Sequence, residues 1–222
     1  MADKVSSNSR DRVLALLSGE RGGSRPCSSG LMNVTVAGLE SAGLTFGEVH
    51  TDPAKMAAAA ETTYRLFGFE SAVVPMDLCV EAGALGAEVD FRLDAPRAEF
   101  PMIREPLADS VEDFTLEVPS ELASRGRIPV VVEAIQKLKA GVGQEIVVGA
   151  WVPGPLTLAM QIVELTNLTG GIGARAGGRE ALAGCARRCL GRGWHGLQRG
   201  RCRHPYRARD GRLARVHRST GV

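Results

Sequence analysis

No lysine occurs beyond residue 169 of this 222-residue chain, although 13 arginines fall there. A basic segment shaped by partner binding would be expected to use both cations, so a nucleic-acid arm is one reading among several for this stretch. Long apolar runs are also missing: no segment approaches the roughly 20 residues needed to span a bilayer. The start, MADKVSSNSRDRVLALLSGE, is polar and then amphipathic, without the apolar core of a signal peptide, and the expected location is the cytoplasm. The five cysteines are an odd number and suggest reduced thiols rather than a disulfide framework. A Gly-rich phosphate loop, a nucleophile elbow and an HExxH helix are all absent, as is an internal repeat of fixed period. Their absence removes the common signatures of nucleotide hydrolysis, serine hydrolysis and zinc proteolysis.

What is present divides near Thr169. Residues 1–169 hold 14 Lys and Arg against 23 Asp and Glu, whereas residues 170–222 hold 13 Arg against 2 acids. The net charge of +2 therefore hides a segment of −9 followed by one of +11. The second segment also takes 12 of the 27 Gly, 3 of the 5 Cys and 3 of the 4 His.

The first segment reads as alternating helices and strands. Ser9 to Ser18 forms a short helix with a polar N-cap, ending at Gly19. Residues 21–30 are punctuated by Gly, Ser and Pro as a loop. Residues 51–69 form a helix capped by Thr51 or Asp52, with Pro53 in its first turn and Gly68 at its end. SAVVPMD (71–77) is a short apolar strand, and residues 79–91 are a short helix followed by a strand with Val89 and Phe91 on one face. RIPVVVEAIQKLKAGVG (127–143) is a helix presenting Val131, Val132, Ile135 and Leu138 on one side. IVVGAW (146–151) has the continuous apolar character of a strand buried on both faces, and residues 152–165 turn through Pro153, Gly154 and Pro155 into a helix. Helix, buried strand, turn and helix in sequence indicate a parallel α/β sheet or barrel.

In such folds chemistry gathers at the carboxyl ends of strands. Asp77 follows an apolar strand there and reads either as a helix N-cap or as a carboxylate that orients a polar substrate or moves a proton. Trp151 could wall a pocket, and Gly154, after Pro153, either lets backbone approach a ligand or simply makes a tight turn. Glu81 reads as a solvated helix residue. Cys27, Cys79 and His50 lack partners at metal-ligand spacing and read as packed or exposed side chains. In the arginine-rich segment, Cys185, Cys189, His195, Cys202 and His204 have a spacing that matches no standard zinc site.

The stretch SAVVPMDLCVEAGALGAEVDF resembles the uroporphyrinogen decarboxylase superfamily. GRIPVVVEAIQKLKAGVGQEIVVGAWVPGPLTLAMQIVE resembles one branch of it more closely, the methylcobamide:coenzyme M methyltransferases and related corrinoid-dependent methyltransferases. DRVLALLSGE followed by SRP fits the same pattern. The resemblance covers about residues 10–169 and is most specific over 127–165. It departs from the decarboxylase itself, whose Arg-rich loop of the type MRQAGR is replaced by CSSGLMNVTV. The Arg partners of an Asp at the position of Asp77 are thus expected to be missing, and porphyrinogen carboxylates need such cations.

The resemblance implies the first half of a TIM (β/α)8 barrel over 1–169. The candidate substrate-binding residues are Asp77, Trp151, Pro153 and Gly154, of which Asp77 falls where the resemblance places a substrate-binding Asp; the resemblance also implies a small thiol substrate and a corrinoid carried by a separate protein. It also implies a zinc ion held by a His-x-Cys pair and a later Cys from the second half of the barrel. No catalytic residue or metal ligand is assigned in this chain, and neither zinc nor corrinoid is expected to bind it. Neither a membrane nor nucleic acid is the expected partner. The alternatives are a decarboxylase-like protein of porphyrin biosynthesis and a non-enzymatic basic binding protein.

Residues 170–222 have the composition that GC-rich coding sequence yields out of frame. With CGN codons for Arg and CTN for Leu, a shift of one base makes Trp194 to Ala214 compatible with a string containing EAGADILTVREMGAS, which resembles the next strand and loop of the same methyltransferases. The expectation is a slip close to Leu168–Gly170 and an inactive half-barrel with an open sheet edge that favours aggregation.

Overall fold

The computed structural model describes residues 8–20, 24–95, 97–109 and 119–164. Helix α1 (Ser9–Leu17) starts where the Asn8 side chain accepts the Asp11 N–H at 2.8 Å. It buries Val13 and sends Arg12 to Glu70 at 2.7 Å. Glu70 also accepts the Cys27 N–H, which pins the preceding loop to the start of the first strand. Helix α2 (Val36–Ala42), not expected from the sequence, is capped by Thr35 and stopped by Gly43 in the left-handed region.

Helix α3 (Pro53–Phe67) follows its sequence signals closely. Asp52 accepts the N–H groups of both Ala54 and Lys55, and Gly68 adopts φ 70° at the C-terminus. The buried face of α3 carries Met56, Ala57, Ala59, Ala60, Thr62 and Thr63. These mostly small residues let the helix lie close to strand β1 (Ser71–Val74), whose four residues are all buried. The strand is shorter than expected because Pro75 has no N–H to continue the ladder. Helix α4 (Val80–Leu85) leads to an antiparallel pair, β2 (Glu88–Asp90) and β3 (Met102–Glu105). Phe91 falls just beyond β2.

Helix α5 (Ile128–Gly141) buries Ile128, Val131, Ala134 and Leu138, while Val132 and Ile135 are half-buried. It packs on α3 and feeds strand β4 (Val147–Ala150), which is followed by helix α6 (Pro155–Ile162). β4 pairs parallel to β1 with Ser71 opposite Val147 and Val74 opposite Ala150. The core lies under this pair, with Val49, Met56, Val74, Met76, Leu138 and Ile146 fully enclosed. A smaller apolar cluster joins α4 to α6 through Ala82, Leu158 and Ile162.

The parallel pair with its covering helices is the repeating unit from which α/β sheets and barrels are built. One expectation is corrected. β4 is not buried on both faces: Val147, Val148 and Gly149 are half-buried and Ala150 is exposed. Among the described residues β4 pairs with β1 alone, so one side of the strand has no neighbouring strand to cover it. No described helix is long and apolar enough to cross a membrane. The arginine-rich segment 170–222, its Cys185, Cys189, His195, Cys202 and His204, and the expected boundary near residue 169 lie outside the described residues.

Candidate functional site

The chain that leaves β1 runs through Pro75 and Met76 to Asp77, whose side chain is fully buried. An isolated buried carboxylate would be strongly disfavoured, and two other segments of chain, with the backbone of its own turn, supply its partners. Arg127, just before α5, donates from Nη1 to Oδ2 at 2.8 Å and from Nη2 to Oδ1 at 2.7 Å. This two-pronged geometry matches a planar guanidinium to a planar carboxylate. His50, at the end of a 3-10 turn (Glu48–His50), places Nδ1 3.0 Å from Oδ2. The Cys79 N–H donates to Oδ1 at 2.8 Å. Burial pushes the Asp77 carboxyl upward, but the hydrogen bonds from Arg127 and His50, with their charges, outweigh it and hold the group well below the usual carboxylate range.

The partners are themselves fixed. Arg127 also donates to the His50 carbonyl at 3.1 Å, and its guanidinium lies over the Phe91 ring, 4.8 Å from the centroid. Gly126 precedes it with φ 55°, and a Cβ there would meet Ala84 backbone at 3.0 Å. This glycine thus brings the start of α5 against α4. Phe46 packs edge-on to the His50 ring at 4.7 Å, and the exposed Phe100 packs edge-on to Phe46 at 5.2 Å.

The carboxyl end of β4 lies beside the same turn. The Trp151 N–H donates to the Val74 carbonyl at 3.2 Å, and Nε1 donates to the Pro75 carbonyl at 2.9 Å. Two of the sequence-derived site residues, Asp77 and Trp151, therefore flank one short piece of chain. Trp151 is half-buried, Pro153 is buried, and Gly154 is exposed at the start of α6 with open space where a Cβ would stand.

Three features escape the sequence reading. Asp77 does have an arginine partner, Arg127, from 50 positions further along the chain. His50 is packed, but it also bonds to Asp77. Glu81 is half-buried rather than solvated: its Oε2 is enclosed without a partner, and burial, with a smaller push from Asp77, raises its carboxyl to about 7 against the pull of a hydrogen bond from its own backbone N–H and of Arg127. Arg127 had no local signal, being one basic residue ahead of a helix. Glu81 had a faint one, its place four residues after Asp77 in an otherwise apolar turn. Cys79 is buried with its Sγ 3.3 Å from the Pro101 carbonyl and 3.4 Å from Gln161 Oε1, and burial and then Asp77 push its thiol up to about 12. Cys27 is exposed.

Among the described residues no three His, Cys, Asp or Glu side chains are grouped to hold a metal ion. A surface hollow of about 620 Å³ lies along α5, lined by residues such as Ser124, Pro129 and Glu133, and none of the Asp77 group lines it.

The profile of the Uroporphyrinogen decarboxylase (URO-D) family matches residues 8–170. The chain is 29% identical over 158 residues to a methylcobamide:CoM methyltransferase, MtaA, of Methanosarcina barkeri, which covers 71% of this chain and 45% of that protein. It is 29% identical over 157 residues to the methylated-thiol–coenzyme M methyltransferase of Methanosarcina mazei, covering 71% of this chain and 41% of the relative. A solved methyltransferase from Methanosarcina mazei superposes with a TM-score of 0.76 at 27% identity, over 87% of this chain and 56% of the other. The chain thus spans less than half the length of these two curated relatives.

Proposed function

The chain belongs to the uroporphyrinogen decarboxylase family, and on that footing we propose that residues 10–169 are the first half of a barrel that moves a methyl group from a methylated corrinoid to a thiol such as coenzyme M. The observation that carries this reading is the likeness to coenzyme M methyltransferases over most of the described residues. The site chemistry supports it. Arg127 is spent on Asp77, so the pair presents no free cation to the carboxylates of a porphyrinogen. A small thiol makes no such demand.

In this reading Trp151 walls the substrate side of the two strand ends, Pro153 stiffens the turn, and Gly154 leaves room for a ligand next to backbone. Asp77 completes the substrate-binding set. Its oxygens are engaged by Arg127, His50 and Cys79, so it meets a ligand only by exchanging one of these partners.

The corrinoid would arrive on a carrier protein and supply the methyl group. Zinc, in the parent family, lowers the pKa of the thiol when bound. The described residues do not supply a ligand set for that zinc. In this reading the chain by itself does not turn over, residues 170–222 are out-of-frame translation, and the protein works in the cytoplasm away from membranes and nucleic acid.

The test is calorimetric titration of the purified chain with coenzyme M, beside an assay for methylation of coenzyme M by methylcobalamin. Binding that Trp151→Ala weakens, without turnover, is expected. Decarboxylation of uroporphyrinogen by the same preparation would overturn the reading in favour of the decarboxylase. Resequencing the coding DNA from the Pro155 codon through and beyond that of Val222 tests the frame.

A further inference from the structure

The connection from β2 to β3 reaches each of the three groups that hold the Asp77 carboxylate. On its outgoing limb the Phe91 ring lies against the Arg127 guanidinium at 4.8 Å. Leu93 follows, so close to Gly47 that a Cβ there would meet the Leu93 Cα at 2.9 Å. On its returning limb Phe100 packs edge-on to Phe46, which packs edge-on to His50. The Pro101 carbonyl then accepts the Cys79 thiol at 3.3 Å, and the Cys79 N–H donates to Asp77. The limbs are nevertheless held lightly. Among the described residues β2 and β3 pair only with each other, and no backbone hydrogen bond ties residues 91–95 or 97–101 to the rest of the fold. Leu93 and Phe100 leave 55% and 54% of their surface in solvent. Arg92, at the start of the outgoing limb, takes φ 54°, a left-handed conformation that strains any residue but glycine. Its Nε is buried without a hydrogen-bond partner, with the carboxylates of Asp90 and Glu99 standing off at 3.5 and 3.9 Å.

We propose that the two limbs of this connection form a strap that swings off the Asp77 group, with Arg92 as its hinge, and so opens the way by which a ligand reaches that carboxylate. The inference rests on the reading of Asp77 as a substrate-binding residue, and it accounts for how a fully enclosed side chain can serve as one. Opening gives up side-chain packing and one sulfur hydrogen bond but breaks no strand ladder to the core. Its cost is therefore well below that of unfolding the whole. It also relaxes the strain at Arg92 and brings the Arg92 Nε to water. The closed strap covers Cys79 and the open strap bares it, so this thiol reports the motion without any ligand.

The test is thiol labelling of the full native chain over a range of urea below the unfolding transition, read by peptide mapping and normalised at each site to the rate in full denaturant. Ala134→Cys, on the buried face of α5, reports opening of the whole fold. Cys79 should label at least about tenfold faster than the thiol introduced by Ala134→Cys, and its rate should hardly rise with urea, because a local opening exposes little surface. Phe100→Ala should speed Cys79 labelling by roughly a further tenfold, through loss of the ring contact with Phe46, and leave the rate at position 134 unchanged. Equal rates and equal urea dependence at the two sites, or the same acceleration of both by Phe100→Ala, overturn the strap whether or not coenzyme M binds. Separate opening at Cys79 in a chain that coenzyme M does not bind upholds the strap and sinks the thiol reading alone.

Discussion

Arg127 grips both carboxylate oxygens of Asp77, at 2.8 and 2.7 Å, and ties the start of α5 to the end of β1. The two side chains are almost wholly out of solvent, at 10% and 0% exposure. Removing one partner leaves the other as an uncompensated buried charge. Arg127→Met should therefore destabilise the fold by about 3–5 kcal/mol, measured by urea unfolding. Combining it with Asp77→Asn should recover part of the loss. Equal and additive effects would show that the pair is not coupled.

Glu81 and Asp77 set opposite pH dependences. The Glu81 pKa is raised from 4.5 to about 7 on folding, so between these values the folded chain holds a proton that the unfolded chain has lost. Stability should fall as pH rises through that window, by about 3 kcal/mol at most and less for a carboxyl that is only half-buried. Asp77 is depressed below 3.8, so its contribution is present above that value and disappears as pH falls further. Glu81→Gln should abolish the loss between pH 5 and pH 8 in denaturant titrations while keeping the acid limb.

Gly126 holds φ 55° with Ala84 backbone close by. Gly126→Ala adds both left-handed strain and a tight contact, and should cost about 1–3 kcal/mol. If the glycine sets the position of Arg127, the variant should also weaken the coupling measured between Arg127 and Asp77. An unchanged melting temperature would show that the two helices have room to give.

Cys79 and Cys27 should differ sharply towards alkylating reagents. Cys79 is buried and its thiol is pushed up to about 12, so little thiolate exists near neutrality. Peptide mapping after brief native labelling with iodoacetamide should find Cys27 modified and Cys79 intact, with both modified in denaturant.

Local signals made much of the fold legible. Asp52, Pro53 and Gly68 mark the ends of α3 because capping and backbone geometry act within a few residues. The apolar runs around β1 and β4 were visible for the same reason. The burial of β4 was not: a continuous apolar run specifies what a strand can tolerate, while its cover depends on which strands stand beside it. Asp77 could be singled out by its place after a strand. Its union with Arg127 and His50 could not, since those partners are 50 and 27 positions away and nothing in their own neighbourhoods marks them. Helix α2 was missed although Thr35 and Gly43 bracket it, because MNVTVAGLESAG has no clear apolar stripe. The ionisation of Glu81 depends on what α4 is packed against, which periodicity does not report.

The parallel pairing of β1 with β4 has a temporal side. Ser71 meets Val147, and Trp151 closes on Pro75, a residue 76 positions earlier. Contacts this distant in sequence form slowly, because a long intervening chain must be ordered before the pairing is rewarded. During synthesis β1 leaves the ribosome well before β4, with its buried residues exposed until α5 and β4 follow. The contacts that fix the turn around Asp77 cannot be made until Arg127 and Trp151 have been synthesised, so the site draws on the whole stretch of chain from β1 to the end of β4.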